Sequence, residues 1–154
     1  MQVVNIHCDG ACLENGKPNA SGGYGVVIES RDKIIHQLFG KLRYGAQTNN
    51  RAELEAMLQA LNYIFEYGDV NTQYIIYSDS TTVVDGILGI AKRKANRDIW
   101  EDIENVCKAL NLQQFNIAVK HCNKESLEPD SVVYRMNVQA DILAYRGANA
   151  LIIC

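Results

Sequence analysis

Proline is scarce, with two in 154 residues (Pro18 and Pro129), so an extended proline-rich chain is excluded. No apolar run approaches the roughly 20 residues that cross a bilayer, and the start lacks the basic-then-apolar pattern of a secretory leader. No membrane association is expected. The five cysteines (Cys8, Cys12, Cys107, Cys122 and Cys154) are odd in number and contain no CxxC pair, which argues against a disulfide framework. Free, packed thiols in a reducing compartment are the expectation, and with them a cytoplasmic protein. His7, Cys8 and Cys12 are close in sequence, but His7 and Cys8 point to opposite faces of a strand, which argues against a zinc site. Neither sign of charge dominates: the net charge of −3 offers no global attraction for a polyanion, so any such binding must rest on a local patch.

Hydrophobic residues (47%) and charged residues (21%) are in the proportions of a soluble globular protein. With no linker, low-complexity segment or repeat, residues 1–154 are expected to form a single domain. Val3 to Asp9 alternates as a strand, with Val4, Ile6 and Cys8 on one face and Gly10 ending it. A polar loop follows, and Gly22-Gly23 leads into a second strand, Tyr24 to Glu29. A hairpin turn at Ser30 to Lys33 then gives a third strand, Ile34 to Lys41. Next, Leu54, Met57, Leu58, Leu61, Ile64 and Phe65 fall on one helical stripe that Gly68 closes. Tyr74 to Tyr77 suits a buried strand. Helices follow at Ser80 to Ile90 and Asp98 to Leu110, then a strand at Phe115 to Lys120. Cys122 to Arg135 reads as a loop and Asn137 to Arg146 as a final helix. This order gives a mixed α/β sheet.

Four acidic residues stand where these elements begin or end: Asp9, Glu53, Asp79 and Asp141. Each has an ordinary structural explanation. Asp9 before Gly10 opens a turn, and Glu53 returns to the Asn50 amide in a capping box. Asp79 caps the next helix, and Asp141 is a solvated helical charge. Together they suggest something else. If the first and fourth strands are neighbours, Asp9 and Asp79 sit side by side, and both ionise comfortably only with a cation between them. Mg²⁺ prefers oxygen ligands and leaves positions for water and substrate phosphate. Two such ions about 4 Å apart activate a water and stabilise the leaving oxygen in phosphoryl displacement.

These residues sit in segments that resemble type I ribonuclease H along nearly the whole chain. Asp9-Gly10-Ala11-Cys12 with Gly22-Gly23-Tyr24-Gly25 is similar to that family's first hairpin, and Thr48-Asn49-Asn50-Arg51-Ala52-Glu53-Leu54 to its TNNRxEL segment. Tyr77-Ser78-Asp79-Ser80, Asn96 to Trp100, and Asn137-Val138-Gln139-Ala140-Asp141-Ile142-Leu143-Ala144 resemble three further motifs, in the family's order. The resemblance implies the ribonuclease H-like fold, a five-stranded mixed sheet flanked by helices with the first strand central. It implies endonucleolytic hydrolysis of the RNA strand of RNA–DNA hybrids, leaving 5′-phosphate ends. Asp9, Glu53, Asp79 and Asp141 would hold two Mg²⁺ ions with substrate, Mn²⁺ substituting, in a chain that acts as a monomer. Gly10, Ala11, Cys12 and Asn15 would lie near the RNA strand, told from DNA by its 2′-hydroxyls. Asn50 would reach the minor groove, and Thr48 and Asn49 would seat the DNA strand; the alternative for all of them is turn and cap chemistry.

His121 is a further catalytic candidate, because Val119-Lys120-His121 resembles the family's V-K-x-H with one residue missing. A solvated loop histidine is its alternative. The interval from His121 to Asp141 is about double the family's, so Lys124 to Arg135 looks like an insertion. Where some bacterial members carry a long basic handle, this chain has only Lys92, Arg93, Lys94 and Arg97, and Thr81 stands where a glutamine is common. Modest affinity for the hybrid is expected. Three other readings stand beside the nuclease: a non-catalytic nucleic-acid-binding domain of the same fold, a related nuclease acting on structured DNA, and a small-molecule phosphatase. The apolar segment Ala148 to Cys154 is read as a packing cover or a dimer contact.

Overall fold

The computed structural model describes residues 1–42, 45–93 and 95–150. Five strands and four helices follow one another as β1 (Val3–Leu13), β2 (Ser21–Ser30), β3 (Lys33–Lys41), α1 (Asn49–Tyr67), β4 (Gln73–Ser78), α2 (Thr81–Ile87), α3 (Arg97–Leu112), β5 (Asn116–His121) and α4 (Val132–Ala148). They form one sheet in the order β3-β2-β1-β4-β5, with β1 central. The first three strands are an antiparallel meander, and β4 and β5 run parallel to β1. Arg31 and Asp32 make the β2–β3 turn, both with positive φ, the twist that a two-residue hairpin demands.

Helices cover both faces of β1. Val4, Ile6 and Cys8 pack with Met57, Leu61 and Ile64 of α1 and with Ile99, Trp100 and Ile103 of α3. On the opposite face Val27 of β2 packs with Met136, Ala140 and Leu143 of α4. The simple in–out alternation expected for β1 therefore fails at its C-terminal half, where His7 and Asp9 are buried as well. Ala52, Ala56 and Ala60 are fully buried and bring α1 close to the sheet, whereas Phe65, expected on the stripe, is 47% exposed beside α3.

Several boundaries differ from the sequence expectation. β1 does not end at Gly10 but stays paired with β2 through Leu13↔Ser21, so ladder hydrogen bonds outweigh a single glycine. α2 stops at Ile87 rather than Ile90. α4 begins at Val132, capped by the Ser131 hydroxyl accepting from Tyr134 N at 3.2 Å, so the segment read as loop is helical from there. The rest of that stretch holds a short 3₁₀ turn, Lys124–Ser126. The expectation for the C-terminal segment falls mostly on residues 151–154, outside the described ones; Ala148 itself is buried at the end of α4. Among the described residues no helix is long and apolar enough to cross a membrane.

α4 lies so close to β2 that a side chain on Gly25 would meet Ala140 O at 2.3 Å and Ala144 N at 2.6 Å. Backbone atoms cannot swing aside as a flexible side chain can. Gly25→Ala is therefore expected to destabilise the fold by about 1–3 kcal/mol, read as a lower urea midpoint. An unchanged midpoint would show that α4 is not seated on the sheet this tightly.

Candidate active site

Parallel pairing of β1 with β4 matches Cys8 with Ser78, so Asp9 and Asp79, the next residue of each strand, emerge together. Glu53 reaches them from the second turn of α1. A Cβ on Gly10 would stand 2.4 Å from both Ala52 C and Glu53 N, so the missing side chain is what lets α1 approach. The Gly10 amide donates to Asp9 Oδ1 at 2.9 Å and also bonds the Glu53 carboxyl. One carboxylate oxygen from each of Asp9, Glu53 and Asp79 lies within 4.8 Å of the others. Asp141 joins from α4, near enough to Asp9 to raise its carboxyl. The four carboxylates expected to converge are thus brought together.

Carboxyl groups bond one another only by sharing a proton. Burial, then the charge of Asp79, pushes the Asp9 carboxyl up to about 8. Burial, then the charges of Asp9 and Asp79, raises Glu53 well above the usual carboxylate range. Glu53 Oε2 is buried with no hydrogen-bond partner among the described residues. An all-oxygen donor set with one buried oxygen unsatisfied suits a hard divalent cation. The Cys8 thiol, raised by burial and then by Glu53, Asp9 and Asp79, stays protonated beneath it. The described cysteines are free thiols, and none belongs to the cluster.

The residues expected to touch substrate divide into two groups. Asn15, Thr48, Asn49 and Asn50 line one open pocket of about 400 Å³ with Gly16, where Asn15 Oδ1 accepts from the Asn49 amide at 3.1 Å. Ala11 is buried in the β1–β2 ladder, and the Cys12 thiol donates to Gln47 O at 3.3 Å. Thr48, not Asn50, caps α1, its hydroxyl accepting from Arg51 N at 3.1 Å. That removes the capping-box explanation for Glu53. Ser80, not Asp79, caps α2, which removes the helix-cap explanation for Asp79. His121 ends β5 opposite Ser78, exposed, with Nε2 3.2 Å from the carbonyl oxygen of Asp79. It is held on the sheet rather than carried away by the segment that follows.

The basic connection is less available than its charge suggested. Arg93 stacks over Trp100 at 4.4 Å, donates to Gly86 O at 3.0 Å and faces Glu104, leaving Lys92 and Arg97 exposed; Lys94 lies outside the described residues. Sequence reasoning also missed Arg51, which is 4% exposed and donates to Asp98 at 2.9 Å and toward Asn96. That bond holds the Asp98 carboxyl down at about 2 and fastens the start of α1 to the start of α3. The arginine of the TNNR segment was its only sequence signal.

The raised Asp9 value gives a signed prediction. Against an unfolded value near 3.8, this group contributes stability below about pH 4 that is lost as pH rises through about 8. In chelator, the wild type should therefore become less stable from pH 5 to 8. Asp9→Asn should flatten that slope and raise the melting temperature at pH 8 by roughly 5 °C. Parallel melting curves for the two proteins across this range would contradict the strained cluster.

The comparisons with known proteins agree with this geometry. The RNase H family model matches residues 1–149. A ribonuclease H of Cyanothece sp. is 33% identical over 126 residues, 73% of this chain and 76% of that protein. A ribonuclease H of Saccharomyces cerevisiae is 34% identical over 108 residues, 70% of this chain but 25% of the longer yeast protein. Among solved structures, LC11-RNase H1 in complex with an RNA/DNA hybrid superposes with a TM-score of 0.72 at 23% identity, covering 95% of this chain and 96% of that one. The prototype foamy virus protease–reverse transcriptase gives 0.75 at 18% identity, over 97% of this chain and 21% of that one. With the sheet order, the convergent carboxylates and a family match across the whole described fold, the chain belongs to the RNase H family.

Proposed function

We propose that this ribonuclease H hydrolyses the RNA strand of RNA–DNA hybrids at the cluster of Asp9, Glu53, Asp79 and Asp141, with Mg²⁺ as its ion and Mn²⁺ able to substitute. The observation that carries the reading is the convergence of buried carboxylates with one Glu53 oxygen unsatisfied. When bound, a pair of divalent ions supplies a water activated near neutral pH and a charge clamp for the departing 3′-oxygen.

The chain's own groups do the rest. Asp9, supported by the Gly10 amide, would hold the ions together with Glu53, Asp79 and Asp141. Asn15, Thr48, Asn49 and Asn50 form the pocket beside it, where side-chain amides and backbone N–H groups can seat a strand by its sugar and phosphate edges. His121 stands over the Asp79 carbonyl. With Nε2–H donating there, Nδ1 is free to accept a proton from water and pass it to the leaving oxygen. One chain supplies all four carboxylates, so a monomer is the active unit in this reading.

The test is a labelled RNA–DNA hybrid incubated with Mg²⁺, Mn²⁺ or chelator, beside RNA alone and duplex DNA. Cutting confined to hybridised RNA, abolished by chelator and reduced at least about a hundredfold in Asp9→Asn and Asp79→Asn, is expected. His121→Ala should lose about ten- to a hundredfold in rate and leave hybrid affinity unchanged. Failure of the folded protein to cut with either ion while still binding hybrid would instead identify a non-catalytic binding domain.

A further inference from the structure

His7 lies on β1 two residues before Asp9, on the same face, and is completely buried. Its ring stacks flat on Tyr77 of β4, with centroids 5.0 Å apart and planes 8° from parallel. Neither ring nitrogen has a hydrogen-bond partner among the described residues. Among the described residues one other buried side chain is equally unsatisfied at both polar atoms: Asn137 of α4, also at 0% exposure.

The register brings the two together. α4 runs along β1 in the same direction: Gly25, opposite Asp9, meets Ala140 and Ala144, while Gly23, opposite Ala11, meets Gly147 and Ala148. One step back along the sheet, Val27, opposite His7, packs on Met136 and Ala140. Two strand residues and one helical turn advance by nearly the same length. Asp141 lies beside Asp9, so the same register carries Asn137, one turn earlier, to the level of His7. A neutral imidazole offers one donor and one acceptor, and an amide offers both. Buried polar groups of this kind are almost always satisfied, often through an ordered water.

We propose that His7 is a positioning residue, joined to Asn137 through a bridging buried water, which fixes the axial setting of α4 and so holds Asp141 against Asp9. Val27, Met136, Ala140 and Leu143, with Val132 at their edge, form an apolar cluster under α4, and Gly23 and Gly25 let the helix backbone close on the sheet. Apolar burial is non-directional and does not by itself select one setting of the helix. A hydrogen-bonded tie does, and it sits one turn from the carboxylate whose place matters.

This proposal rests on the reading of Asp141 as a metal ligand, and the test separates the two. Mn²⁺ binding is measured by calorimetry without nucleic acid, and hybrid cleavage is measured across a Mg²⁺ titration. His7→Phe keeps a stacked ring but no polar atoms, Asn137→Leu removes the other side of the tie, and His7→Gln restores a donor and an acceptor. His7→Phe should weaken Mn²⁺ binding and lower kcat about tenfold, with the KM for hybrid unchanged. Asn137→Leu should do the same, the double variant should lose no more than either single one, and His7→Gln should recover most of the loss. Wild-type Mn²⁺ affinity in His7→Phe would overturn the proposal, as would His7→Gln performing no better than His7→Phe. If His7→Phe does not fold, Asn137→Leu against His7→Gln decides by the same criteria. A wild type that binds Mn²⁺ but cuts no hybrid would count against the proposed function and leave the calorimetric comparison to judge His7.

Discussion

Asp9 is 4% exposed, with Glu53, Asp79 and Asp141 around it, and such a group of carboxyls is unfavourable in water-excluding surroundings without positive charge. The chain accepts that cost at the C-terminal edge of its two central strands. Without a cation the cluster compensates by keeping protons: burial and the neighbouring charges hold Asp9 up at about 8 and Glu53 well above the ordinary carboxylate range. The Gly10 amide offsets a little of the repulsion. A divalent cation bound there would replace those protons with a stronger neutralising charge, so the structural penalty and the proposed chemical capacity would reside in the same atoms.

Much of the surrounding architecture exists to bring those groups together. Two helices must approach β1 from opposite faces, and each does so over a glycine: α1 over Gly10, α4 over Gly25. Arg51, buried beneath the N-terminus of α1, fixes that end to Asp98 at the start of α3. The bond belongs to a carboxylate that is largely exposed, so it stabilises less through charge than through holding the buried guanidinium and the packing around it. Glu53 therefore projects from a helix clamped at its first turn, and Asp141 from one that lies directly on the sheet.

The sequence made the four carboxylates legible because each stands at the end of a recognisable element and within a motif. Strand pairing then supplied what spacing alone could not: β1 next to β4, and hence Asp9 next to Asp79. Glu53 was open to a capping explanation until Thr48 proved to be the cap, two residues before the expected Asn50. Gly10 looked like a strand end because local propensity ignores the β2 ladder that continues past it. The start of α4 was missed because Val132 to Arg135 follows a polar stretch whose only helix signal is the Ser131 cap. His7 was hidden for a related reason. Period-two alternation puts it on the polar face of β1, and its burial comes from α4, distant in sequence.

The central claim is that a cation takes over the place of the protons shared by Asp9 and Glu53. Calorimetric titration of the substrate-free protein with Mn²⁺ near pH 7, in buffers of different ionisation enthalpy, measures the protons released on binding. The account predicts a net release of about one proton or more per chain, since groups held above their ordinary range must ionise to become ligands. Binding with no proton release, or none at all, would contradict it.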